Sequence, residues 1–251
     1  MSFELAPTTA YVFMLVFSRI GTMVMLMPAL GEFSVSSRVR LTLAVLISMV
    51  LMPLVADAYG PVPATVSGIA WGVISEIAVG FLIGSVARLI MSALQVAGTI
   101  IAFQTGLAFA QNVDPTQGIQ SALVGSFLSM LAVTMIFATD LHFLLIAAMR
   151  DSYVLFEPGA GVPIGDFVET ATGVVAGSFK LAVQIAAPFV VFGMIFYLAL
   201  GILSKLMPQV QIFFVAMPAN FLLGFAFFAV LMGAMLWWFC LFFAGMLCFF
   251  L

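Results

Sequence analysis

The feature that most constrains this chain is a set of long, almost uninterrupted apolar stretches that return along its whole length. They cover about Thr9 to Leu30, Val39 to Ala56, Ala64 to Leu94, Ser121 to Thr139, Thr170 to Leu203 and, beginning near Val210 or Ala219, on to Leu251. A backbone placed in hydrocarbon must satisfy its N–H and C=O groups within its own segment or in a closed barrel. Barrel strands alternate apolar and polar residues over ~10 positions. These runs are continuous, so they predict helices. With 65% hydrophobic and 7% charged residues, the chain lacks the charge to cover a water-facing shell, since soluble domains carry roughly 25%. The expected fold is an all-α membrane protein of about six long hydrophobic helices, some bent or broken.

The breaks carry the polar residues. The first is Gly31 to Arg38, and the second is the Gly- and Pro-rich turn Asp57 to Pro63. Gln95 to Gln120 is rich in Gly, Gln, Ala and Phe and holds Asp114-Pro115, where the residue before proline avoids the helical region. Asp140 to Glu169 is the most polar section, with five acids and Arg150. Ser204 to Gln209 is a tight break before the last run. Basic residues mark the cytoplasmic side, here Arg38, Arg40, Arg88 and Lys205. Six spans with both termini outside the cytoplasm accommodate every break. Glu4 and the absence of a basic residue before Arg19 argue against a cleavable leader.

Length creates a tension. A bilayer core of ~30 Å needs about 20 helical residues. The third, fifth and sixth runs hold about 30 each, or ~45 Å as straight helices. Tilt absorbs part of that excess. The rest requires a break, for instance at Pro188, or an extension into a protein assembly.

Catalytic chemistry has little to work with. The one histidine, His142, lies in the polar section, and no metalloprotease, Cys-pair, P-loop or nucleophile-elbow pattern is present. Cys240 and Cys248 stand about 12 Å apart along one helix, too far to bridge. With one His and two such Cys, no metal site is expected, nor a cofactor, and the chain is not expected to be an enzyme. The net charge of −3 gives no reason to expect nucleic acid.

Ionisable residues inside apolar runs are the remaining candidates. They are Arg19, Glu76, Arg88 and Lys180. Arg19 lies mid-run, and Glu76 is its natural countercharge. The pair either fixes helix packing or lines a polar pathway. Arg88 and Lys180 lie nearer run ends, within reach of the interface by snorkelling. Met23, Met25 and Met27 alternate before Pro28, which suits plastic packing or a deformable seal. Gly80 and Gly84 form a GxxxG pair of the kind that lets helices approach closely.

Three stretches together carry a resemblance. The first is Phe17-Ser18-Arg19-Ile20 with Pro28-Ala29-Leu30-Gly31 and Arg38-Val39-Arg40. The second runs from Phe103-Gln104-Thr105-Gly106-Leu107-Ala108-Phe109-Ala110 to Asp114-Pro115. The third is Ala138-Thr139-Asp140-Leu141-His142 with Ser152-Tyr153, then Met207-Pro208-Gln209-Val210-Gln211-Ile212-Phe213-Phe214. In order and spacing this resembles the FliR family, export-gate subunits of the flagellar type III secretion apparatus, over nearly the whole chain.

The resemblance implies a non-enzymatic subunit of a helical export-gate assembly in the bacterial inner membrane, at the flagellar basal body. Implied partners are FliP-like and FliQ-like subunits, a FliB-type or FlhB-like gate component, membrane lipid and the unfolded flagellar proteins that pass. It implies a FliP-like part over residues 1–170 and a FliQ-like hairpin over 171–251. It assigns a pore plug to Gly106, Leu107, Ala108, Phe109, Ala110, Gln111, Asn112, Asp114 and Pro115, within the Gly106–Gln120 stretch. It assigns a cytoplasmic hairpin tip to Lys205, Pro208 and Gln209. Two rivals remain: the homologous gate subunit of a virulence injectisome, which shares the mechanism, and a secondary small-solute transporter, which needs a polar midplane site. Arg19 and Glu76 are the only support for the transporter.

Overall fold

The computed structural model describes residues 2–31, 35–107, 123–159, 164–207 and 212–248, with the helical side chains at 2–7, 164, 166, 212–215 and 248 left aside. Among the described residues the regular structure is helical: α1 (Ser2–Leu26), α2 (Ser37–Val55), a 3-10 turn (Ala56–Ala58), α3 (Val66–Gln104), α4 (Leu123–Ala138), α5 (His142–Leu155), α6 (Ile164–Leu206) and α7 (Ile212–Cys248). Five of these are long and apolar enough to cross a membrane, and α4 with α5 makes a sixth if that bent pair counts as one span. The all-α membrane fold expected from the apolar runs is therefore the fold observed.

Three differences from the sequence reading have physical causes. First, α3 does not stop near Leu94 but continues to Gln104, for a total length of 39 residues. The Gln- and Gly-containing turns after Leu94 remain helical because Gln95 Nε2 donates to Ser129 Oγ at 2.9 Å and Gly98 admits α4 at backbone distance. A Cβ on Gly98 would run into the Gly125 main chain. Second, α6 stays helical through Pro188 over 43 residues. Third, the polar section holds a helix of its own. The buried residues of α5 are Leu145, Ala148, Met149, Ser152 and Tyr153, a spacing of three and four that lays one face on the core. Its charges, Arg150 and Asp151, form an outward pair at 3.3 Å, which contributes little.

The bend between α4 and α5 falls at Asp140, whose φ of 61° is left-handed. Aspartate tolerates that region better than most residues. His142 therefore sits at the start of a helix rather than in a loop. Its ring lies against Phe137 and Phe143, with centroids 5.4 and 4.2 Å away.

The chain forms two packing units. The first comprises Met1–Ile90, Ile136–Val175 and Phe243–Leu251. Here α2 packs against α1, and the GxxxG pair of α3 meets α1. A Cβ on Gly80 would strike the Arg19 carbonyl, and one on Gly84 would lie 2.7 Å from Leu26 Cβ. The second comprises Met91–Met135 and Ala176–Phe242. Its core includes an aromatic seam between α6 and α7, where Phe189 meets Phe227 edge-on at 5.2 Å and Phe192 stacks on Phe227 at 5.5 Å. This partition by packing is separate from the division at residue 170, which concerns kinship to other subunits.

Candidate functional site

Among the described residues two polar clusters interrupt the apolar packing, one in each unit. The first centres on Arg19 of α1, 1% exposed. Its Nε donates to Oε2 of Glu76 on α3, which is 2% exposed. Its NH1 donates to the Ser152 carbonyl at 2.9 Å and the Phe156 carbonyl at 3.1 Å, and NH2 reaches Phe156 O at 3.1 Å. The guanidinium carbon lies 4.2 Å from the centroid of the Tyr153 ring. One side chain thus joins α1, α3 and the end of α5.

The local reasons are legible. Glu76 faces α1 because Gly72 and Gly80, one turn either side of it, bring the helices close: a Cβ on Gly72 would lie 2.9 Å from the Tyr11 hydroxyl. The Phe156 carbonyl is available because α5 ends at Leu155 and Phe156, its cap, stands where the helical ladder stops. The Phe156 N–H returns to Ser152 O at 3.0 Å, so that oxygen accepts both a main-chain and a guanidinium donor.

Around this pair the structure keeps further polar groups. Tyr59, beyond the end of α2, meets Tyr153 edge-on with centroids 6.3 Å apart. Neither hydroxyl has a hydrogen-bond partner among the described residues. Burial, more than the neighbouring Tyr153 and Glu76, pushes the Tyr59 hydroxyl far above the ordinary tyrosine range, while Arg19 opposes the shift. A cleft of about 230 Å³ reaches Glu76 between Tyr11, Tyr59, Trp71 and Ser75.

The second cluster lies at the end of α3. Asn220 of α7, 5% exposed, donates from Nδ2 to the Gln104 carbonyl at 3.3 Å. Thr105, 1% exposed, returns its hydroxyl to Ile101 O at 2.9 Å and packs on Gly224, where a Cβ would lie 2.7 Å from Thr105 Cγ2. The Gln104 side chain fills the space where a Cβ on Gly193 of α6 would stand. Gly106 follows with φ +77°, a conformation that costs glycine little and other residues much.

The structure therefore brings Arg19 and Glu76 into contact and places Gly106 and Leu107 directly after the second cluster. Ala108, Phe109, Ala110, Gln111, Asn112, Asp114 and Pro115 lie outside the described residues, as do Pro208 and Gln209. Lys205 is exposed in the last turn of α6. Arg88 and Lys180 are also exposed. Among the described residues no group of three or more His, Cys, Asp or Glu is placed to hold a metal. Sequence reading gave no site role to Tyr59, Asn220 or Tyr153, the last named only among the residues that carry the resemblance. Only Asn220 left a signal: it shares a four-residue spacing with the buried Ala216, Gly224 and Phe228, and an amide on such a stripe needs a partner.

The family model for bacterial export proteins, family 1, matches residues 10–246. The chain is 46% identical over 229 residues to the flagellar biosynthetic protein FliR of Caulobacter vibrioides, covering 90% of this chain and 91% of that one. It is 31% identical over 209 residues to FliR of Pectobacterium carotovorum, covering 83% and 79%. Farther off, it is 28% identical over 145 residues to the Yop proteins translocation protein T of Yersinia pestis, covering 57% and 56%. Both polar clusters lie inside the span the family model covers, and so do all of the membrane-length helices but the first residues of α1 and the last of α7; the chain belongs to the FliR family of bacterial export proteins.

Proposed function

We propose that this protein is a gate subunit of the flagellar type III export apparatus, forming with FliP-like and FliQ-like partners the channel for unfolded flagellar proteins. In this reading it sits in the bacterial inner membrane at the basal body, beside a FlhB-like component. It has no catalytic step of its own.

The observation that carries the reading is the length of α3, α6 and α7 at 39, 43 and 37 residues. As straight helices these reach roughly 55 to 65 Å against a hydrocarbon core of ~30 Å. Much of α6 and α7 is apolar and outward-facing, including Val191, Met194, Ile195, Leu198, Ile202, Leu222 and Val230. Lipid covers only part of such lengths, and sibling subunits supply the rest. The flagellar reading is favoured over the injectisome by the identity and coverage of the Caulobacter relative against the Yersinia one.

Within that function, the Gly106–Gln120 stretch, with Leu107, Ala108, Phe109, Ala110, Gln111, Asn112, Asp114 and Pro115, is the plug of the closed pore. Lys205, Pro208 and Gln209 form the cytoplasmic hairpin tip. The Arg19–Glu76 pair is a packing lock rather than a pathway lining, because the guanidinium already makes four hydrogen bonds. A solute site at that pair would have little left to bind with.

Affinity isolation from native membranes in mild detergent, followed by mass spectrometry, tests the assembly. Two smaller hydrophobic partner species are expected to co-purify in fixed ratio. A solitary protomer that stays well behaved in detergent would overturn the reading.

A further inference from the structure

Asn220 occupies a position where packing alone favours an apolar residue. Its neighbours on the buried stripe are Ala216, Gly224 and Phe228. The amide is 5% exposed, and its Oδ1 is buried with no donor to accept from among the described residues. A half-satisfied buried amide is costly, so its presence calls for a reason. The hydrogen bond it does make goes to the main chain, to Gln104 O at 3.3 Å. That carbonyl belongs to the last turn of α3, whose oxygens lack intrahelical partners. The acceptor also fixes the amide orientation, since only the NH2 side is able to donate.

The same spot is constrained from three other directions. Gly224 leaves room for Thr105, and Gly193 leaves room for Gln104. At Gly106, with φ +77°, a Cβ would lie 3.2 Å from Asn220 Nδ2, so the residue types at 106 and 220 limit each other. One side chain, Asn220, and two glycines, Gly193 and Gly224, thus fix three consecutive residues, Gln104, Thr105 and Gly106.

We propose that Asn220 is a positioning residue of the export gate: with Gly193 and Gly224 it clamps the Gln104–Gly106 end of α3, the root from which the plug stretch departs. This rests on the plug reading above. Asn220 acts through the α3 end and touches no exported chain. Losing its one main-chain bond shifts the balance between seated and unseated roots by the ratio that one net hydrogen bond gives.

The test uses the whole gate complex, purified with its partners and placed in planar bilayers, and reads resting ion leak together with complex yield. Asn220→Leu keeps the branched shape and heavy-atom count, at a larger volume, and removes the donor. It is expected to assemble at wild-type yield and leak about fivefold more. Asn220→Asp sets a carboxylate against the Gln104 carbonyl and is expected to leak more than Asn220→Leu. Wild-type leak from assembled Asn220→Leu overturns the proposal. If that variant does not assemble, Asn220→Ser decides: raised leak supports the clamp, and unchanged leak overturns it. Failure of both to assemble makes Asn220 a packing requirement and also overturns it. A complex lacking Gly106–Gln120 is measured in parallel. If the deletion leaks and Asn220→Leu does not, the clamp alone falls; if the deletion is as tight as wild type, the plug reading falls and takes the clamp with it.

Discussion

The Arg19–Glu76 cluster and the α3-end cluster both hold helices together at a polar point in an apolar interior, and they do it by opposite means. The first uses full charges. Its parts come from three elements, and its strength depends on every charge keeping its partner. The second uses one neutral hydrogen bond and two absent side chains, with Gly193 and Gly224 shaped to receive Gln104 and Thr105. Buried charges are unforgiving, because removing one partner strands the other in a medium that cannot solvate it. Small-residue notches depend on fit instead of charge, because a methyl added at Gly193 or Gly224 would overlap the Gln104 or Thr105 side chain it receives. A lock of the first kind suits a part that stays put. A clamp of the second kind suits the root of a part that moves.

The largest expected effect comes from breaking the charged lock on one side. Arg19→Met leaves the Glu76 carboxylate buried and alone, at a cost of about 3–5 kcal/mol. The variant should accumulate poorly in membranes and melt well below wild type in detergent. The double variant Arg19→Met with Glu76→Leu should recover most of the loss, since a packed apolar pair is close to neutral relative to a buried ion pair. A single variant as stable as wild type would remove the lock from the comparison.

A smaller loss is expected where the second unit depends on close backbone approach. Gly98→Val forces a side chain into the Gly125 main chain and should cost about 1–3 kcal/mol, read as a lower melting temperature. Gly233→Ala, where the added Cβ meets nothing within 4 Å, is the control and should change stability by less than ~1 kcal/mol. Equal effects at both positions would mean that tight packing is not what distinguishes the α3–α4 contact.

The smallest effect is at Tyr59. Among the described residues its buried hydroxyl has no hydrogen-bond partner, so Tyr59→Phe should be within about 1 kcal/mol of wild type near neutral pH. The pH dependence carries the sign. The folded-state value is raised above the unfolded one, so the neutral phenol's contribution is complete below about pH 10. It is lost as pH climbs through the raised folded value. Wild type should therefore lose stability above about pH 10, and Tyr59→Phe should lose less, as followed by melting temperature against pH. Parallel curves would show that the hydroxyl is hydrated in the folded protein.

The two clusters also differ in how far the sequence exposes them. A charge inside an apolar run is conspicuous, and two of opposite sign invite pairing, so Arg19 and Glu76 stood out at once. The GxxxG pair at Gly80 and Gly84 was visible for a similar reason: a fixed spacing in a helical period. Asn220 left a weaker signal: an amide on an apolar stripe needs a partner, but the local pattern does not name it. Its partner is a main-chain carbonyl 116 positions away, and any residue type carries one of those. The roles of Ser152 and Phe156 were hidden likewise, since they serve Arg19 through their carbonyls. Helix α5 was hidden because Arg150 and Asp151 made its segment read as a polar break, although both point outward.

Composition and the continuity of the apolar runs determined the solvent, the fold class and the number of membrane-length helices, because hydrocarbon leaves the backbone almost no choice but the helix. The family resemblance was likewise a property of the linear order of residues. Only the tertiary structure decided where α3 and α6 end, that α6 continues through Pro188, and which groups meet at the two polar points. Those outcomes depend on contacts between positions far apart in the chain, such as Gly98 with Gly125 and Asn220 with Gln104, and such contacts leave no period in the sequence to read.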